Sequence, residues 1–384
     1  MEYSSEYMAN LQRFKDCINF KPIDRVLHYS NVYTWKALDS DIKPKLSDAI
    51  SDFDLIEQIQ CEFHERYRFD GHSDLGTRNL TIGPVRALGS THYIIDDELE
   101  TINFTDRVIM EATEYEEYAV DRERVHWRMF HRKHPNLTKG QMVAAISKFI
   151  ECGEFIGYMT KKMNTVYNVP AGYNGSVAGV MMSPIERFHK YYRGIREISL
   201  DLRRHKKELL KACDAIHEEE MLPGLKAGLK IDNSAYITDM FTALLAHTTL
   251  SRAQWDELYW PYLKQYLDAV VEAGKTISVF CEGSILRFAD YFKEYPKGHL
   301  LFTIELDDPV ELRKALPNVC LSGGMPASLL GHGTPEQCVE YAKRLVGEMG
   351  DGFILSQDKM ISFRNDCKRE NLLAVAEFVQ NYRC

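Results

Sequence analysis

At 384 residues and 45% hydrophobic content, the chain can bury one large core or divide into two average domains. Its 56 acidic and 47 basic residues give a net charge of -9 with no long run of either sign, which argues against a nucleic-acid surface. Nine cysteines are scattered singly without a CxxC pair, as in a reduced cytoplasmic protein, and no run of about 18 apolar residues offers a membrane span. The opening MEYSSEYMANLQRF carries acids and no apolar leader, so a cytoplasmic protein without a targeting segment is expected.

Along the chain, short apolar segments ending in Gly, Asn, Ser or Asp alternate with helical patterns, which predicts β/α units. VLHYSN (26 to 31) is the first strand candidate. YRFDGHSDLG follows, and places His72 and Asp74 just past a short strand, as a rim acid/base pair or as turn formers. Residues 79 to 165 form an excursion in which THYIIDDELETINFTD predicts a hairpin and EEYAVDRERVHWRMFHRKHP a charged helix. TVYNVPAGYNGS (165 to 176) reads as a strand entering a glycine-rich loop, where Tyr173 and Asn174 would approach a ligand. SPIERFHKYYRGIREISLDLRRHKKELLKACDAIHEEEM reads as one long helix with Ser183 as N-cap and Pro184 at its first position.

GLKIDNSAYITD (228 to 239) is the next strand candidate. Asp239 would close it, as a catalytic acid or a helix cap, with Asn233 and Tyr236 placed to bond a phenol or carboxylate. LSRAQWDELYWPYLKQYLDAVVEAG predicts a helix stopped by Gly274. In KTISVFCEG (275 to 283) the apolar run TISVF predicts a strand covered on both faces, and Glu282 sits on its last turn before a glycine. HLLFTIELDD (299 to 308) places Glu305 beside it, NVCLSGG (318 to 324) carries Cys320, and GFILSQDK (352 to 359) ends on Gln357, Asp358 and Lys359.

Eight strand candidates predict a (β/α)8 TIM barrel with an extension between early strands, a fold whose chemistry sits at the carboxyl ends of its strands. Glu282 and Glu305 would then be rim neighbours that share a proton or bind a metal, zinc with Cys320 being one arrangement. A buried apolar cysteine is the bland reading of Cys320. Lys359 would meet an anionic donor or pair with Asp358, and Tyr29, Tyr33, Trp35 and Met325 are candidates for an apolar pocket wall.

Four stretches, NLQRFKDCINFKPIDRVL, SPIERFHKYYRGI, TLSRAQWDELYWPYLKQYLDAVVEAGK and GHGTPEQCVEYAKRLVGEMGDGFILS, together resemble the uroporphyrinogen decarboxylase superfamily across nearly the whole chain. The resemblance implies a (β/α)8 barrel with either porphyrinogen decarboxylase or corrinoid-dependent methyltransferase activity. Decarboxylases of that superfamily carry arginines after the first strand, where this chain reads HYSNVYTWKAL without one. Its thiol methyltransferases bind zinc through a His-x-Cys pair and a later cysteine, positions held here by Phe280, Glu282 and Lys359.

MEATEYEEYAVDRERVHWRMFHRKHP and SVFCEGS look most like the methyl-ether demethylases. That likeness implies transfer of a methyl group from a small donor, a methoxylated aromatic such as vanillate or guaiacol, to the Co(I) of a separate corrinoid protein that brings the cobalamin. It implies neither a nucleic-acid nor a membrane partner. Glu282, with Asp239 and Glu305, would then be catalytic. His72, Tyr173, Asn174, Asn233, Tyr236 and Lys359 would bind substrate. The alternatives are a thiol or tetrahydropterin methyltransferase working from methylcobalamin, and a family member that binds a corrinoid protein without turnover.

Overall fold

The computed structural model describes residues 3–73, 82–90, 93–105, 108–175 and 183–383. Asp74 lies outside these residues. Among the described residues no helix is long and apolar enough to cross a membrane, and all eight cysteines are free thiols.

The last third of the chain forms the sheet that positions the site. Five strands run parallel in sequence order: β5 (Met240–Leu244), β6 (Ile277–Cys281), β7 (Leu300–Ile304), β8 (Cys320–Met325) and β9 (Phe353–Gln357). Every residue of β7, β8 and β9 is buried, as the continuous apolar runs require of strands covered on both faces. Helices return the chain between strands. Pro335–Met349 opens on a capping box between Thr334 and Gln337 and stops at Gly350, whose φ of 61° leaves the helix.

Earlier in the chain, β1 (Tyr29–Ser30) and β2 (Gly71–His72) pair in parallel, and β3 (Tyr93–Asp96) with β4 (Thr101–Phe104) makes the expected hairpin. Backbone bonds extend both edges of the large sheet. On one side Leu355 N–H donates to Leu27 O at 3.0 Å and Ile361 N–H to Asn31 O at 3.0 Å. On the other, Gly172 N–H donates to His72 O at 2.9 Å and Thr238 N–H to Gly172 O at 2.9 Å, just ahead of β5.

The first helix, Ser5–Ile18, is capped by Ser4 and buries Tyr7, Leu11, Phe14, Cys17 and Ile18. That stripe packs against Leu27, Ile237, Leu301, Cys320 and Ile354. Leu301, Cys320 and Ile354 are each the first or second residue of a strand, so the helix covers the amino end of the sheet's inner face.

Three expectations need correcting. Residues 228–239 are not a strand: Asp232 accepts from Ser234 N–H, Tyr236 N–H donates to Asn233 O, and Asn233 Nδ2 donates to Asp239 O at 2.7 Å, which folds the segment into turns. The strand is the next five residues, MFTAL. In the described part of 165–176, the stretch Met163–Tyr167 is a π-helical turn ended by Asn168 in the left-handed region, and Ala171 bridges in parallel to His72. The long helix from Ser183 is a chain of shorter pieces broken at Gly194 and His205.

Candidate active site

Strand alternation assigns the faces. Ile277, Val279, Cys281, Leu300, Phe302, Ile304 and Leu321 belong to the outer core, whereas Leu301, Cys320 and Ile354 meet the first helix inside. Phe280, Glu282, Thr303, Glu305, Ser322, Ser356 and Asp358 therefore share the inner face. Phe280 pairs with Thr303, Thr303 with Ser322, and Gly324 with Ser356. One step of alternation further, Glu282, Glu305 and Ser356 form a layer at the carboxyl ends, whereas Gly324, at φ 84°, turns toward Leu345 and Pro309 outside; Asp358 stands above the layer.

Glu282 sits on a turn that Glu305 and Asp307, just past β7, hold in place. Gly283 N–H donates to Glu305 Oε2 at 2.9 Å, Ile285 N–H donates to Asp307 Oδ2 at 2.7 Å, and Ser284 Oγ also donates to Asp307. Gly283 has φ 68°, and a Cβ there would stand 2.8 Å from Thr248 Cγ2, so both backbone conformation and space call for glycine after Glu282. Burial pushes the Glu305 carboxyl above its ordinary range, and the charges of Glu282 and Asp358 push it the same way. Asp358 is also raised, chiefly by burial, while it accepts from Ala327 N–H at 2.9 Å. Lys359 pulls both downward, although its ammonium lies 2.7 Å from Asp366 rather than in the layer.

The structure does not bring the other expected residues to this layer. Asp239 precedes β5, where its carboxylate accepts from Thr276 N–H at 2.9 Å and meets Lys275 Nζ at 3.1 Å. Leu244 pairs with Cys281, so Asp239 is six residues below the level of Glu282, about 20 Å at the rise of a strand. It locks the start of two strands. Asn233 is spent on Asp239 O and on Asn174, whose Nδ2 donates to its Oδ1 at 2.9 Å, and Tyr236 is half-buried where burial and the nearby Tyr3 raise its phenol.

At β2 Gly71 takes the side that faces the first helix, where its Cβ would meet Ile237 and Phe14, so His72 faces the other way against His64, with ring centroids 5.6 Å apart. Burial holds the His72 imidazole neutral, lowered to about 3. Trp35 and Met325 are buried in the large hydrophobic cluster, while Tyr173 stacks on Phe241 at 4.0 Å.

A mixed zinc site does not fit these residues. Cys320 pairs with Leu301, four residues before Glu305 and so about 13 Å away along the strand, and burial raises its thiol beside Cys17. Among the described residues no three His, Cys, Asp or Glu side chains converge to hold a metal ion.

One residue at the strand ends escaped sequence reasoning. Glu186 is fully buried beside the end of β5, where Oε1 accepts from Leu245 N–H at 2.8 Å, Ala246 N–H at 3.0 Å and Tyr259 Oη at 2.5 Å. Burial raises its carboxyl to about 7. Its signal was available as an acid in the first turn of a Ser-Pro helix start, but such acids usually serve the helix itself.

Residues 171–382 match the family model described as uroporphyrinogen decarboxylase (URO-D). Among solved structures, a methyltransferase from Methanosarcina mazei is similar to this chain, with a TM-score of 0.61 and 12% identity over 97% of this chain and 98% of that one. That likeness is one of fold. No curated protein matches the chain.

Proposed function

The chain belongs to the uroporphyrinogen decarboxylase family, and from that premise we propose that it is a methyltransferase that takes the methyl group of a small methoxylated aromatic and passes it to the Co(I) of a separate corrinoid protein. The observation that carries this reading is the pair Glu282 and Glu305, adjacent at the strand ends, with the Glu305 carboxyl raised toward a proton-holding form.

The same carboxylates count against decarboxylation of a porphyrinogen. A substrate bearing several carboxylates needs cationic partners. The segment after β1 supplies no arginine, and the inner layer presents Glu282, Glu305 and Asp358. The name of the structural neighbour favours methyl transfer.

The eight parallel segments read as a closed (β/α)8 barrel. The support is the backbone bonding from β9 to residue 27, from β2 to Gly172, and from Gly172 to Thr238 ahead of β5. Residues 79 to 165 are then an insertion between early strands of a single domain.

The partner's corrinoid is a substrate that supplies the nucleophile for the methyl carbon. This chain's part is to hold the ether and deal with the leaving oxygen. The aryl C–O–CH3 bond breaks at the methyl carbon, its electron pair stays on oxygen, and the phenoxide needs a proton at neutral pH. Glu282, on a turn fixed by Glu305 and Asp307, is assigned as the donor. Glu305 holds the turn, and its own carboxyl is raised by burial and by the neighbouring Glu282. Incubating the protein with reduced corrinoid protein and a panel of methoxyaromatics, methylamines and methylthiols, while following the cobalt spectrum, tests the assignment. Methyl transfer from methoxyaromatics alone is expected.

A further inference from the structure

We infer, resting on the reading above, that the site takes an uncharged methoxyphenol and turns away methoxybenzoates, with Glu305, Asp358 and Ser356 setting that choice. Glu305 and Asp358 follow β7 and β9, the strands on either side of β8, and are close enough that the Asp358 charge helps to raise the Glu305 carboxyl. Lys359 is the cation that both feel among the described residues, and its ammonium is already engaged by Asp366. A donor carboxylate would bring a fixed negative charge into a layer of partly buried acids, which is selection by desolvation and repulsion.

A second observation points to what is accepted. Ser356 and Ser322 are 0% and 1% exposed, both face inward, and neither hydroxyl has a hydrogen-bond partner among the described residues. Ser356 is level with Glu305, and Ser322 is one layer deeper beside Thr303. A serine hydroxyl both donates and accepts, so Ser356 can bond the free hydroxyl of a phenol that stays neutral at pH 7. Deeper inside, Tyr173 stacked on Phe241 offers an aromatic floor.

The test is titration of the full chain with guaiacol, vanillate and anisole, followed by methyl transfer from each to cob(I)alamin. Guaiacol should bind at least about tenfold more tightly than vanillate. Asp358→Asn, which keeps an oxygen for Ala327 N–H, should narrow that gap, and Ser356→Ala should weaken guaiacol more than anisole, which has no hydroxyl to lose. Vanillate binding as tightly as guaiacol to the unaltered protein would overturn the proposal while leaving methoxyarene demethylation standing, and this arm needs no variant to fold. If none of the three binds or donates a methyl group, the proposed function falls and this inference with it.

Discussion

Glu305 accepts a hydrogen bond from the N–H of Gly283 at 2.9 Å, so the acid that ends one strand fixes the turn that follows the acid ending its neighbour. Glu282 is thereby presented on a held loop rather than a loose one. For the proposed proton donor, a held loop is pre-organisation, because the loop would not have to be ordered when the proposed substrate binds.

Replacing Glu282 by glutamine keeps its size and removes the titrating group. Turnover of a methoxyarene should fall by roughly 10²- to 10⁴-fold while donor binding largely survives. Donors with better leaving groups should lose less, since their oxygen needs less protonation. Equal rates for poor and good leaving groups, both at the level of the unaltered enzyme, would reduce Glu282 to scaffold.

Asp239 should behave differently. Its partners are Lys275 and Thr276 at the amino ends of the strands, so Asp239→Ala should cost about 1–3 kcal/mol of stability by leaving those donors unmet. The folded fraction should keep its kcat/KM. A loss of rate beyond tenfold at unchanged stability would return Asp239 to the chemistry.

The fully buried Glu186 carboxyl gives a pH signature. Its folded value of about 7 stands above the ordinary 4.5, so its stabilising contribution is complete below pH 4.5 and is lost as pH rises through about 7. Glutamine can keep the three bonds to Oε1 without a charge to bury. Thermal melts from pH 5 to 8 should show Glu186→Gln gaining on the unaltered protein as pH rises, by at most about 3 kcal/mol. Parallel curves would show that Glu186 does not titrate in this range.

How far the sequence carried these conclusions depended on what held each segment. ISVFC and LLFTI are covered on both faces, so apolar continuity located them and, with them, Glu282 and Glu305. The strand MFTAL was placed too early, because side-chain turns around Asp232 and Asn233 imitate a polar-edged strand until their partners are known. That shift carried Asp239 to the wrong end of β5. The face of His72 was not legible for a related reason: in a two-residue strand, alternation is too short to say which side a side chain takes, and Gly71 takes the side toward the first helix. Glu186 depends on contacts across 59 residues of chain, which local patterns do not encode.

The most direct test of the central claim is the cobalt absorbance spectrum of a reduced corrinoid acceptor mixed with this protein and guaiacol. Conversion to the methylated form is expected, with release of one demethylated phenol per methyl group transferred and strong slowing in Glu282→Gln. A spectrum that stays in the Co(I) form with guaiacol and every other methoxyaromatic, while the protein remains folded, would contradict it.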